Sequence, residues 1–366
     1  MVVEIPHVLH IGLLVGTYEA LDELKRKVKI MLQILLCGLL SLGVIEDKPA
    51  APAPVKLIYD TDMGNDVDDA LALAVIHALQ SRGECELLAV TITKDHPQSA
   101  PFIDAVNTFY GRGDIPIGVV KGGVTKQDSK FTPIAEHKKG DTLKYPHDLM
   151  SGDDAPDATT VLRKVLAAQP DGSVVIAQVG FSTNLARLLD SPADSISPLN
   201  GRDLAAKKVK FISIMAGAFK PFNGKPHPEY NVVMDIPAGQ HLLNDWPTPI
   251  IFSGFEIGIE TALYQDSMKF DYNYSKDHII EVAYRYYNSE YHDQPSWDLT
   301  SVLYAVRPAR GYFDLSVKGF AHYDDQGFTF FREHPEGKHQ HLIVSPGQAE
   351  RVKEALANLA SEPPTK

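Results

Sequence analysis

Positive charge is in short supply in this chain. Across 366 residues, 35 Lys and Arg stand against 47 Asp and Glu, a formal net charge of −12. Binding a nucleic-acid backbone needs clustered basic side chains, so no nucleic-acid partner is expected. Cysteine is scarcer still. Cys37 and Cys85 are the only two, which excludes a multi-bridge disulfide framework. No internal repeat and no linker interrupts the stretch from Val55 to Glu362. Gly122-Gly123 lacks the pattern of a phosphate loop, and no Ser-His-Asp arrangement can be picked out. What remains is ordinary globular composition, 44% hydrophobic and 22% charged. A chain this long buries a substantial core without staples. At roughly 150 residues per domain it is two domains or one large one, and the unbroken stretch favours one.

Residues 1–54 read as a leader. Lys25 to Lys29 (KRKVK) precede the apolar run Ile30 to Ile45, after which come Glu46-Asp47-Lys48 and the Pro/Ala segment Pro49 to Pro54. A basic stretch followed by an apolar one of this length suits a signal peptide and is too short for a confident membrane span. Ala51-x-Ala53 has the small-residue form of a cleavage site. The expectation is cutting between Gly43 and Pro54 and an exported protein, periplasmic or secreted, with no stable membrane span in the mature chain. An amphipathic leader that stays attached would leave it cytoplasmic. Met31 is an alternative start. Cleavage would remove Cys37, so no intramolecular disulfide would be possible.

From Val55 onward, apolar runs alternate with helical patterns. Strands are expected at Val55–Tyr59, Leu87–Thr93, Ile115–Val120, Ser173–Val179, Val209–Met215 and Ile250–Ser253. Helices are expected at Asp69–Gln80, Ala100–Tyr110, Ala158–Ala168, Thr183–Leu189 and Gly239–Asn244. Residues 317–344 read as a hairpin and 347–360 as a closing helix. This predicts a single α/β domain over 55–362, with an open, mostly parallel, Rossmann-like sheet and helices on both faces. In such sheets ligands bind beyond the carboxyl ends of the strands.

The first such end is Asp60-Thr61-Asp62-Met63-Gly64-Asn65-Asp66-Val67-Asp68-Asp69-Ala70, which places five aspartates within ten residues. One or two acids suit a helix N-terminus. Five repel, and a hard divalent cation such as Ca²⁺ or Mg²⁺ would neutralise them through oxygen ligands. Gly64 would allow a tight turn between ligands. A solvated, acid-rich helix cap is the alternative reading. A calcium EF-hand loop fits poorly, because Leu71 stands where its last Glu belongs.

Asp60-x-Asp62-x-Gly64 followed by Asp68-Asp69-Ala70 resembles the opening motif of the inosine–uridine-preferring nucleoside hydrolase family, with two extra residues before the paired Asp. Four further segments resemble that family in order: Ala89 to His96, Gln178 to Ala186 (QVGFSTNLA), Asn223 to Asn231 (NGKPHPEYN) and Ser296-Trp297-Asp298-Leu299. The resemblance implies the nucleoside hydrolase fold and hydrolysis of an N-ribosidic bond, with a small ribonucleoside as partner and a homodimer or tetramer as the assembly. It implies a Ca²⁺ held by Asp62, Asp69, Asp298 and the carbonyl of Val179, with Asp62 as the general base. Asp68, Asn223, Glu229 and Asn231 would hold the sugar, and Met215 would reach its face. Asp60 is implied as a partner orienting the ligands, while Asp66 belongs to the inserted pair and has no family counterpart.

Departures bear on the base. Many members carry a His where Trp297 stands, and an indole N–H does not serve as an acid at ordinary pH. Trp297 would instead stack on a purine, which is worth roughly 0.5–1.5 kcal/mol beyond area burial. His292, six residues before Asp298, is the expected replacement acid, with a surface position as its alternative. Lys94-Asp95-His96 replaces the family's Gly-Asn ending, so His96 stands between site and surface. The group Tyr284, Tyr286, Tyr287 and Tyr291 would line a base pocket or pack in the core. Two other functions stay open. One is a secreted nucleoside- or sugar-binding protein without turnover. The other is a haloacid-dehalogenase-like phosphatase with Asp60 as nucleophile.

Overall fold

The computed structural model describes residues 9–40 and 53–365, in two units divided between Pro52 and Ala53. The first unit holds one helix, Leu9–Leu40. Leu24, Met31, Leu32 and Ile34 of this helix are exposed. Among the described residues no helix is long and apolar enough to cross a membrane. Most of the expected cleavage segment, residues 43–54, lies outside the described residues.

The second unit is built on one sheet. Its strands are β1 (Val55–Thr61), β2 (Cys85–Ile92), β3 (Ile117–Val119), β4 (Val174–Gln178), β5 (Val209–Met215), β6 (Ile250–Ser253), β7 (Gly319–Tyr323), β8 (Thr329–Glu333) and β9 (His339–Ile343). They lie in the order β8-β7-β9-β6-β5-β4-β1-β2-β3, parallel from β9 to β3 and antiparallel at β7 and β8, and the two-residue strand Asp314–Leu315 also pairs antiparallel with β9. Side chains alternate across β1. Leu57 and Tyr59 enter one hydrophobic cluster, and Ile58 enters the other on the opposite face. Both faces are therefore dry, which is why the central strands read as unbroken apolar runs. Each fully buried Leu or Ile there contributes about 1.5–3 kcal/mol.

The chain runs from β1 outward through β2 to β3, then crosses back to lay β4 against the other edge of β1. The carboxyl ends of β1 and β4 therefore diverge around a crevice, the place where such sheets bind ligands. Asp62 follows β1 and Val179 follows β4 at this point.

Two expected boundaries shift. The strand expected at Ile115–Val120 shrinks to three residues, since Pro116 has no N–H to give a ladder. The helix expected at Gly239–Asn244 lengthens to Ile236–Asp245, its start set by Asp235, whose side chain accepts from Ala238 N at 3.3 Å. Helix Trp297–Val306 was not anticipated. Every residue after Trp297 in it is buried, so it shows no polar face and no amphipathic period to read.

Candidate active site

The crevice holds a cavity of about 350 Å³, which is within the range of small-ligand pockets. Its floor is acidic. Asp62, Asp68, Asp69 and Asp298 line it and are each at least 96% buried. Asp68 and Asp69 arrive on the first turn of helix Asp68–Ser81, and Asp298 on the first turn of Trp297–Val306. These two helices pack together beneath the sheet's end. The amide of Asp298 donates to Asp68 Oδ2 at 3.1 Å. Asp68, Asp69 and Asp298 bring one carboxylate oxygen each to within 4.8 Å of one another. Burial, then mutual repulsion, pushes all three carboxyls well above the usual range. Thr61 donates to Asp69, and the Tyr59 hydroxyl holds the Asp69 carbonyl at 3.0 Å.

Asp62 stands beside this trio and is turned by Asn65, whose amide donates to its Oδ2. Burial raises its pKa to about 6. Asn65 in turn accepts from Lys94 Nζ at 2.7 Å. Lys94 is fully buried, and Asp62 and Asp69 oppose the fall in its pKa that burial causes. The two departures noted in the sequence, the insertion and the Lys94 loop, are thus one structural unit. Asp66 lines the cavity, and its Oδ1 accepts the Asp68 amide at 2.9 Å.

The other residues expected at the sugar come from the end of β5 and from the helix start at Glu229. Met215 ends β5 and lines the cavity. Asn231 donates to the Val179 carbonyl at 2.7 Å and to the Met215 carbonyl at 3.2 Å. Glu229 caps helix Tyr230–Met234, accepting from the amides of Asn231 (2.9 Å), Gly217 (3.0 Å) and Val232 (3.3 Å). Burial still lifts its pKa to about 7. Gly180 lies directly on the chain after β1. A Cβ there would meet Asp62 N at 2.5 Å and Thr61 C at 2.7 Å, so only glycine fits.

Asp60 lies behind the cavity, as expected of a partner that orients the ligands, while Asn223, His292 and His96 lie away from the lining. Asp60 is buried behind the floor, its Oδ1 held by Thr91 at 2.5 Å and Asn184 at 2.8 Å. It ties β1, β2 and the helix after β4 (Thr183–Asp190) together, and it is absent from the cavity lining, which removes the phosphatase reading that made it a nucleophile. Asn223 is exposed at φ 51° in a turn where Phe222 and Lys225 exchange hydrogen bonds. His292 is exposed, and both its ring nitrogens are engaged at 2.8 Å, by the Asp293 carbonyl and Asn288 Oδ1. His96 is buried against the rim, 3.4 Å from Asp128, and does not line the cavity. Of the four tyrosines, Tyr287 alone reaches the cavity. Tyr284 donates to the His292 carbonyl, Tyr291 to Glu281, and Tyr286 lies on the surface near His137.

The wall opposite the floor is aromatic, and sequence reasoning missed most of it. Trp297 donates its indole N–H to the Phe255 carbonyl at 2.9 Å and stacks on Phe255 with centroids 5.4 Å apart. His227 packs on Phe255 with ring centroids 4.0 Å apart, and Tyr230 and Tyr287 complete the wall. His227 and Tyr230 sat inside the quoted segment Asn223–Asn231. Phe255 opens an ordinary apolar run, and no spacing marks it.

A family model described as inosine-uridine preferring nucleoside hydrolase matches residues 57–352. The chain belongs to that family. With it comes the reaction class, an N-glycosidase of the nucleoside hydrolase type. A pyrimidine-specific ribonucleoside hydrolase of Citrobacter koseri is 25% identical over 253 residues, covering 67% of this chain and 75% of that one. The inosine-uridine preferring nucleoside hydrolase of Leishmania major is 25% identical over 202 residues, 52% of this chain and 58% of that one. A plant nucleoside hydrolase shares the fold at TM-score 0.62 and 21% identity, over 85% of this chain and 100% of its own. A purine-preferring ribonucleoside hydrolase from Gardnerella vaginalis does so at TM-score 0.63 and 18% identity, over 84% of this nucleoside hydrolase and 99% of itself.

Do the floor residues suit a hard cation? They do on chemistry. Buried carboxylates that repel one another, with one buried Lys as the nearby cation, form an all-oxygen donor set of the kind Ca²⁺ and Mg²⁺ take.

Proposed function

We propose that this nucleoside hydrolase cleaves purine ribonucleosides to ribose and free base with the help of Ca²⁺. The observation that carries the reading is the buried acidic trio Asp68, Asp69 and Asp298 lying with Asp62 beneath an aromatic wall. Asp62, Asp69, Asp298 and the Val179 carbonyl would hold the ion, with Asp68 beside them. When bound, it would neutralise the floor and make a nearby water easier to deprotonate.

Asp62 serves as the general base. Burial makes its carboxylate more basic than usual, which suits taking a proton from water. Asn65 fixes its rotamer. Asp68, Asn231 and Glu229 face the sugar. Asn231 also keeps the Val179 carbonyl aimed, and the negative floor favours the cationic character that develops on the ribose. Trp297 and Phe255 offer flat surfaces to a base, and their extent favours a purine over a pyrimidine.

Reducing-sugar release from inosine, adenosine, guanosine, uridine and cytidine, with Ca²⁺ and with chelator, tests the reading. Ca²⁺-dependent release that disappears in Asp62→Asn supports it. Ligand and Ca²⁺ binding without any release would instead make this a binding protein, a reading favoured by Trp297 standing where an acid is usual. The same proposal includes a homodimer or tetramer, checked by light scattering. It also includes export through residues 1–54, checked by N-terminal sequencing of protein recovered outside the cytoplasm.

A further inference from the structure

A leaving purine needs a proton, and the expected donors are spent. Trp297 has no acid function, and its N–H is tied to the Phe255 carbonyl. His292 is exposed, with both nitrogens engaged. Tyr230 and Tyr287 face the cavity, but burial makes both phenols weaker acids than usual.

We infer that His227 protonates the departing base. Among the described residues it is the histidine that lines the cavity, and no lysine, arginine or cysteine lines it. Its ring rests on Phe255 at 4.0 Å, tilted 36°, and meets the edge of Phe222 at 5.8 Å. It therefore belongs to the wall on which a base would lie. Pro226 and Pro228 flank it, so the backbone on either side has fixed φ and His227 itself is held extended. The next residue, Glu229, locks the segment to three backbone amides. The imidazole is thus presented from a rigid mount. Among the described residues none hydrogen-bonds its ring, and burial draws its pKa below the usual value.

This assignment rests on the hydrolase reading above. As the C1′–N bond breaks, its electron pair passes to the base. The imidazolium proton moves to a ring nitrogen of the base, such as N7 of a purine, which leaves neutral. The water oxygen bonds C1′ and loses its proton to Asp62. Ribose and base depart, and transfer of one proton from Asp62 to His227 through solvent restores the enzyme.

The test compares two leaving groups. Inosine needs protonation, whereas p-nitrophenyl riboside releases a stable anion and does not. In His227→Ala and His227→Gln, kcat on inosine should fall by roughly 10²–10⁴-fold, while the nitrophenyl riboside loses less than about tenfold. Retained activity on that riboside also shows that the variants fold. Equal losses on both substrates, or an unchanged rate on inosine, overturn the assignment and leave the hydrolase reading standing. If His227→Gln rescues inosine cleavage, His227 positions the base and donates no proton, which also overturns it. A wild-type protein that cleaves neither substrate overturns both readings.

Discussion

The floor of the cavity is charged, almost fully buried and assembled from one strand end and two helix starts, whereas its wall is aromatic and half-open. Asp62, Asp68, Asp69 and Asp298 keep no more than 4% of their surface, while Tyr230 keeps 45%. The floor is cross-linked by side chain to backbone bonds such as Asp68 with the Asp298 amide. The wall is held by ring stacking and a single indole hydrogen bond. The floor's geometry is thus fixed by the fold before a ligand arrives. The wall sets what lies above the floor and can vary without disturbing it. On the proposed function, the floor activates the water and the wall supplies selectivity together with the leaving-group proton of His227.

The sharpest way to break that division is at the floor. Asp62→Asn keeps shape and hydrogen bonding but removes the base, and kcat should fall by roughly 10²–10⁴-fold with little change in KM. Steady-state kinetics on inosine check this. Trp297→Ala, at the wall, should do the reverse. Loss of one stacked face, worth roughly 0.5–1.5 kcal/mol, should raise KM for purines by about two- to tenfold and flatten the preference between purines and pyrimidines. A kcat collapse in Trp297→Ala with KM unchanged would erase the distinction.

Charge offers two subtler tests. Burial raises Asp60 to about 7 and Asp62 to about 6 from a model-peptide value of 3.8. The folded state then binds protons more tightly than the unfolded one, so these groups withdraw stability as pH climbs through that window. Asp68, Asp69 and Asp298 shift in the same direction. A cation would oppose this by favouring the ionised forms. The gap between melting temperatures with Ca²⁺ and with chelator should therefore widen from about pH 4 to about pH 7. A gap that narrows over that range would argue against a cation on the floor. Last, Lys94→Met removes a positive charge behind Asp62 and Asp69. Calorimetric titration should show Ca²⁺ binding tighter by a few-fold, with kcat lower because Asn65 loses its anchor.

The division between floor and wall also explains what was legible in the sequence. The alternation of strand and helix was readable because β1, β4 and β5 are dry on both faces and their helices are short and regular. The floor was readable because three of its acids fall within eight residues, where mutual repulsion demands an explanation, and the fourth sits in the short segment Ser296–Leu299. The wall had no such signature. Only Trp297 stood out, through its place beside Asp298; Phe255 and His227 lie 42 and 70 residues before it, and one aromatic among apolar neighbours looks like core. His292 misled because sequence proximity to Asp298 was taken for spatial proximity. The helix beginning at Trp297 carries Asp298 inward, and the loop before it leaves His292 outside. Lys94 and Asn65 each looked like a departure from a pattern, and only their contact shows that they form one device.

The contact of Gly180 with the chain at Thr61 and Asp62 has a thermal consequence. Two central strands meet there with no side chain between them, so neither can loosen without displacing Asp62. The floor has no small opening motion of its own and should exchange its amide hydrogens only when the central sheet comes apart. On heating, loss of turnover and loss of the sheet should therefore follow one curve, and the wall should be where the molecule first softens.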